Sequence, residues 1–123
     1  MSKVVYDKRG LVQERGDGFF LNGETYLNGP NFTSVSTKNA NTTISTENII
    51  LGDASSAEIT LTLPNASTIT GRTLNIKKID STINAVVISG SNSQTIDGAS
   101  NQKIIEQYIS IQLIASGSSW YIL

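Results

Sequence analysis

Five carboxylates in the body of the chain, Asp53, Glu58, Asp80, Asp97 and Glu106, are the side chains whose type allows acid–base work. Two of them facing one groove would be the minimum equipment for glycoside hydrolysis. Three stand beside Gly or Ser, in Gly52-Asp53, Asp80-Ser81 and Asp97-Gly98, where Asp serves turns. Glu58 and Glu106 read as solvent-facing. The chain has no His and no Cys, which excludes an imidazole base, a Ser-His-Asp triad, a thiol nucleophile, a disulfide and a zinc site built on those ligands. The loop Ser89-Gly90-Ser91-Asn92-Ser93 is small and polar but lacks the Lys and helix start of a phosphate loop, so it reads as a hairpin turn. Catalytic residues, cofactors and metals are accordingly not expected, and the chain does not read as an enzyme.

Binding chemistry is a second possibility. Arg72, Lys77 and Lys78 form a local positive spot that would suit an acidic glycan or a partner carboxylate; a solvated strand edge is the plainer explanation. Trp120 and Tyr121 would stack on a sugar ring, yet aromatics on an alternating strand usually belong to a core. A formal charge of -1 provides no basic footprint for nucleic acid and no polybasic patch for a membrane. No stretch approaches the 18 or so apolar residues of a spanning helix, and Met1-Ser2-Lys3 opens without the apolar core of a signal peptide. Synthesis in a cytoplasm is therefore expected.

The elements that must hold these residues are strands. Forty of the 123 residues are Ser, Thr or Asn, and Ile outnumbers Leu 16 to 9; β-branched side chains suit a pleated surface, whereas helices draw on Ala, Leu, Glu and Lys. Glu58 to Leu63 alternates strictly, with Ile59, Leu61 and Leu63 on one face. Tyr108 to Leu113 repeats the pattern, placing Ile109, Ile111 and Leu113 inward. Further strands are expected over 73–79, 84–89 and 93–96, with a bulge at Lys77-Lys78 to bring Ile79 into phase. Residues 101–107 have a faint helical spacing but are too short and uncapped, which favours strand or loop. Turn signals every 8–12 residues point to an all-β, antiparallel sandwich or barrel-like knob.

Three regions follow: an extended N-terminal attachment arm over 1–35, a linker or exposed strand over 36–48, and the β-knob over 49–123. Within the arm, Phe19-Phe20-Leu21 and Tyr26-Leu27 flank Asn22-Gly23, a hairpin signal. Phe19, Phe20, Tyr26 and Phe32 gather too many aromatics for so small a segment to bury, and are candidates for docking on a partner. The final residues put Trp120 and Ile122 on one face and Tyr121 and Leu123 on the other. A strand apolar on both faces needs two covers, so Ile114, Trp120, Tyr121, Ile122 and Leu123 are candidates for a homo-oligomer interface.

Across 61–123 these pieces come in a familiar order: Leu63, Pro64 and Ala66 as L-P-x-A; Gly71, Arg72, Leu74, Ile76, Lys77 and Lys78 as G-R-x-L-x-I-K-K; Val86 and Ile88; Thr95 to Gly98 as T-I-D-G; the strand Ile109 to Leu113; and Trp120 with Ile122 as a terminal W-x-I. This half of the chain resembles the β-rich C-terminal module of tailed-bacteriophage tail fibres and virion appendages. The resemblance implies a rigid homotrimer displayed on a virion surface, made in the bacterial host cytoplasm, with no catalytic residues to carry over. The chain has neither shaft repeats nor heptads and holds one arm and one knob. That suits a capsid decoration protein or short head fibre whose partners are itself and the major capsid or another virion protein. A tail-fibre tip that binds a host receptor or surface glycan is the alternative.

Overall fold

The computed structural model describes residues 3–7, 10–15 and 33–123, in two compact units, Met1–Asn31 and Phe32–Leu123. In the first, β1 (Lys3–Asp7) and β2 (Gly10–Arg15) pair antiparallel, with Val5 opposite Val12 and Tyr6 opposite Leu11. The sequence reading of an extended arm did not anticipate this pair, because Val4-Val5-Tyr6 and Leu11-Val12 are interrupted by charges that mask any alternation. The hairpin expected around Asn22-Gly23, and with it Phe19, Phe20, Tyr26 and Phe32, lies outside the described residues.

The second unit is built from β3 (Val35–Lys38), β4 (Thr42–Thr43), β5 (Ile49–Gly52), β6 (Ile59–Thr62), β7 (Thr73–Lys78), β8 (Val86–Ser89), β9 (Asn101–Ile104), β10 (Ser110–Ser116) and β11 (Ser119–Ile122), with one 3-10 turn at Ala66–Thr68. Five strands form one sheet in the order β11-β10-β7-β5-β3, and four form the other in the order β4-β6-β8-β9. From β3 to β8 successive strands alternate between the sheets, so the chain winds through three coils and each coil lays its strands parallel to those of the one before. β9, β10 and β11 then run antiparallel to their neighbours.

The fold is therefore all-β, but the expected antiparallel sandwich or barrel is corrected to two mixed sheets that do not close into a barrel. Alternation along a strand reports which face is buried and nothing about the direction of the neighbour. A loop that crosses to the other sheet also has much the same length as one that turns back. The 36–48 segment contributes the end of β3 and all of β4. These two strands are the edges of their respective sheets.

Both sheets bury their inner faces in one core. Ile50, Leu74, Ile76, Leu113, Ala115 and Trp120 come from the five-stranded sheet, and Ile59, Leu61, Val86, Ile88 and Ile104 from the other. Each fully buried Ile or Leu contributes about 1.5–3 kcal/mol. The two sheets come close together at Gly52, where an added Cβ would sit 2.9 Å from both methyls of Val86. Tight turns set the register. Asp97 (φ 49) and Gly98 (φ 82) are both left-handed between the bridged residues Ile96 and Ala99, the type I′ geometry, and Gly117 (φ 61) opens the β10–β11 turn.

Two strand readings change. β7 alternates without interruption, burying Leu74, Ile76 and also Lys78, so there is no bulge at Lys77-Lys78. The irregularity sits on the facing strand. The Tyr108 amide donates to the Lys78 carbonyl at 2.7 Å and the Lys78 amide to the Ile109 carbonyl at 3.1 Å, so two residues oppose one, with Tyr108 (φ 66) at the left-handed position glycine usually fills. The alternation expected from Tyr108 therefore starts only at Ser110. Leu113 is buried and Ile111 half-buried, but Ile109 is exposed.

Candidate interaction surfaces

The chemistry-bearing residues of the sequence sort into scaffold and surface. Lys78 is fully buried, and its ammonium donates to the Asp80 carboxylate (2.6 Å), to the Thr82 carbonyl (2.9 Å) and to the Asp80 carbonyl (3.1 Å). Burial alone would push the Asp80 carboxyl up. Hydrogen bonds from Lys78, the Thr82 hydroxyl, and the Ala54 and Thr82 amides outweigh it and hold the group well below the usual carboxylate range. This saturated pair ties the end of β7 to the 80–84 loop and to Ala54.

Arg72 donates to the carbonyls of Ser45 and Glu47 and so clamps the turn before β5. In the same turn Glu47 accepts from the Ser45 amide and pairs with Lys38 at 3.0 Å. Those partners draw its carboxyl down to about 2. Lys77 points outward, its ammonium 5.6 Å from the centre of the Tyr108 ring. The expected positive spot thus dissolves into one clamp, one buried pair and one surface cation, and β7 is a central strand, not an edge.

The other carboxylates also have local duties. Asp53 accepts from the Ser55 amide and Asp97 from the Ile122 amide; Glu58 and Glu106 are exposed. Among the described residues no group of three or more His, Cys, Asp or Glu is placed to hold a metal. The quoted motif residues are likewise structural. The Trp120 indole is fully buried and donates to the Pro64 carbonyl at 3.2 Å. The Ala66 amide donates to Gln94, whose own amide donates to Asn65.

Of the five terminal candidates, Trp120 is corrected from interface to core, and Ile122 packs half-buried against the same core. Its strand is an edge of the five-stranded sheet, covered on its inner face alone. Tyr121 (47% exposed), Leu123 (67%) and half-buried Ile114 remain on the outer face. Register extends that face. Tyr121 lies opposite Ile114, and a second row runs from Gln112 through Asn75 and Ile49 to Val35, with the Leu123 amide bound to the Gln112 carbonyl. A third row carries Lys77, Leu51 and Thr37. Apolar side chains collect at the two lateral ends, Val35, Ile49 and Leu51 on β3–β5 and Ile114, Tyr121 and Leu123 on β10–β11, on either side of Thr73, Asn75, Gln112 and Lys77.

The outer face of the four-stranded sheet has a different chemistry. Thr43, Thr62, Ser89 and Asn101 form one row and Thr60, Val87 and Lys103 the next. Asn41, Thr42, Thr43, Thr60 and Thr62 line a shallow polar groove there. A third surface closes the end of the sandwich where β7 stops: Ile83 (88% exposed), Ile105, Tyr108 and Ile109 stand on the 79–85 and 105–109 loops, joined by a hydrogen bond from the Gln107 side chain to the Ile79 carbonyl. Sequence reading missed Val35, Ile49 and Leu51. Ile49-Ile50-Leu51 did carry a signal, since three consecutive apolar residues on a strand must place some on each face.

The fold and its surfaces define an all-β, two-sheet module without placing it in a family. Compared with known proteins, the chain matches no family model and no curated protein.

Proposed function

We propose that the protein is a structural component of a tailed-phage virion, a capsid decoration protein or short head fibre. Its N-terminal region anchors it on the major capsid or another virion protein, and residues 32–123 are displayed outward as a homotrimeric β-knob. The observation that supports this most is that residues quoted for the phage-appendage resemblance are engaged in the chain's own packing: Trp120 on Pro64, Ala66 on Gln94, Arg72 on the 45–47 turn, Lys78 on Asp80. A saturated, tightly packed frame is what a passive, displayed module needs. Docking is expected to bury Phe19, Phe20 and Tyr26. Particles reconstituted with a chain lacking residues 1–30 should lose the protein; retention at wild-type copy number overturns the docking role.

A receptor- or glycan-binding tip is the second reading, and Tyr108 favours it. A bulky, 62%-exposed aromatic in a left-handed conformation costs about 1–2 kcal/mol, and such strain collects where side chains are used for binding. β3 runs parallel to β5 and β7 and so begins at the end of the sandwich opposite this tip. Saturable binding of the purified chain to host cells or surface polysaccharide, lost in Tyr108→Gly, supports the tip. Binding only to particles stripped of the protein supports decoration.

A further inference from the structure

We propose that the outer face of the five-stranded sheet is the contact between copies, with the Val35, Ile49 and Leu51 end of one copy seated on the Ile114, Tyr121 and Leu123 end of the next. This deepens the trimeric reading above and rests on it, but not on the virion assignment.

Charge and the pattern of the face argue for a second copy as the occupant. Among the described residues the strand positions of the face carry one charge, Lys77, whose ammonium lies over the Tyr108 ring; Arg72, which borders Ile49, Thr73 and Asn75, already donates to the Ser45 and Glu47 carbonyls. A charged partner would gain nothing from either and would lose hydration against isoleucine and leucine. The matching surface has to be uncharged and apolar with a few amides, which is what the face itself offers.

The pattern also sets the geometry. Apolar groups lie at both lateral ends and the amides of Asn75 and Gln112 between them. End-to-opposite-end contact is heterologous and closes as a ring when the rotation between neighbours divides a full turn, which the trimeric reading above sets at threefold. Five strands at about 4.8 Å spacing and some 17 Å long give a face of roughly 400 Å². A simple pair of such faces would bury about 800 Å² in total, the size of a weak contact. A closed ring of three buries the same area per copy, roughly 1,200 Å² over the whole assembly, and holds each copy by two neighbours at once.

The absence of natural cysteine makes the test clean. Val35→Cys combined with Tyr121→Cys, treated with a short bismaleimide, is expected to give a covalent series ending at three chains, while either single variant stays uncrosslinked. A series ending at two overturns the ring. A native mass of three chains without crosslinking, together with a Tyr121→Glu variant that stays trimeric, overturns this face and leaves the trimer standing. A native mass of one chain at tens of micromolar removes both. Circular dichroism of each variant confirms that the exposed substitutions leave the fold intact.

Discussion

On the outer face of the five-stranded sheet, Val35, Ile49, Leu51, Ile114, Tyr121 and Leu123 stand where the four-stranded sheet places Thr43, Thr60, Thr62, Ser89 and Asn101. Both sheets bury an inner face in the same core, so the need to fold does not explain the difference outside. Threonine and serine keep β-propensity while remaining wet, which is how a water-facing sheet is written; Val87, the apolar residue among them, is itself buried. Isoleucine, leucine and tyrosine at the matching positions make sense when something dry covers them. The inner faces differ as well: the four-stranded sheet's is apolar over Ile59, Leu61, Val86, Ile88 and Ile104, whereas the five-stranded one ends on the buried Lys78.

That last contrast predicts the largest single effect. Asp80→Ala strands a buried ammonium and should cost about 3–5 kcal/mol in chemical denaturation. Lys78→Met should cost clearly less, because Asp80 keeps donors from Ala54 and Thr82. Equal losses would mean that the pair is not what holds the end of β7. The same pair sets the acid response. The folded Asp80 carboxyl lies below its ordinary value of 3.8, and that of Glu47 is lowered from 4.5 to about 2. The unfolded chain therefore binds more protons at low pH. These groups stabilise the fold fully above about pH 5 and progressively less as pH falls through 4 and below. Denaturation midpoints followed from pH 6 to 2 should drop in that window, and less so in Lys38→Met, which removes one cause of the Glu47 shift.

Where the two sheets touch, Gly52→Ala should cost about 1–3 kcal/mol by forcing Val86 aside; a neutral result would show that the sheets can separate locally. Tyr108→Gly should raise stability by about 1 kcal/mol, since relief of roughly 1–2 kcal/mol of backbone strain exceeds the roughly 0.5–1 kcal/mol of an exposed cation–π contact. A destabilised variant would mean that Tyr108 is retained for packing. Smallest of all, Thr62→Val on the wet face should change stability by less than about 0.5 kcal/mol, which thermal melts resolve as no shift.

Much of the core is legible in the amino-acid order: Ile59, Leu61, Leu63 and Leu113 stand on alternating apolar faces and are buried, whereas Ile109, expected inward with Leu113, is exposed by the irregularity at Tyr108. The T-I-D-G turn was legible because Asp-Gly carries its own backbone preference. Strand direction was not, since pairing through sheet-switching coils leaves no local trace. Nor was Lys78, because a lysine continuing an apolar alternation looks like the end of the strand until Asp80 is folded back beneath it. At the terminus, Trp120-Tyr121-Ile122-Leu123 showed correctly that both faces are apolar. It could not show that the chain covers one of them itself, which takes Trp120 out of any interface and leaves Tyr121 and Leu123 outside.

Native mass spectrometry of matched charge substitutions on the two outer faces tests the central contrast most directly. Tyr121→Glu should weaken a three-chain assembly at least tenfold at micromolar concentration, while Thr43→Glu leaves it intact. An assembly that survives Tyr121→Glu and dissociates with Thr43→Glu would contradict the account.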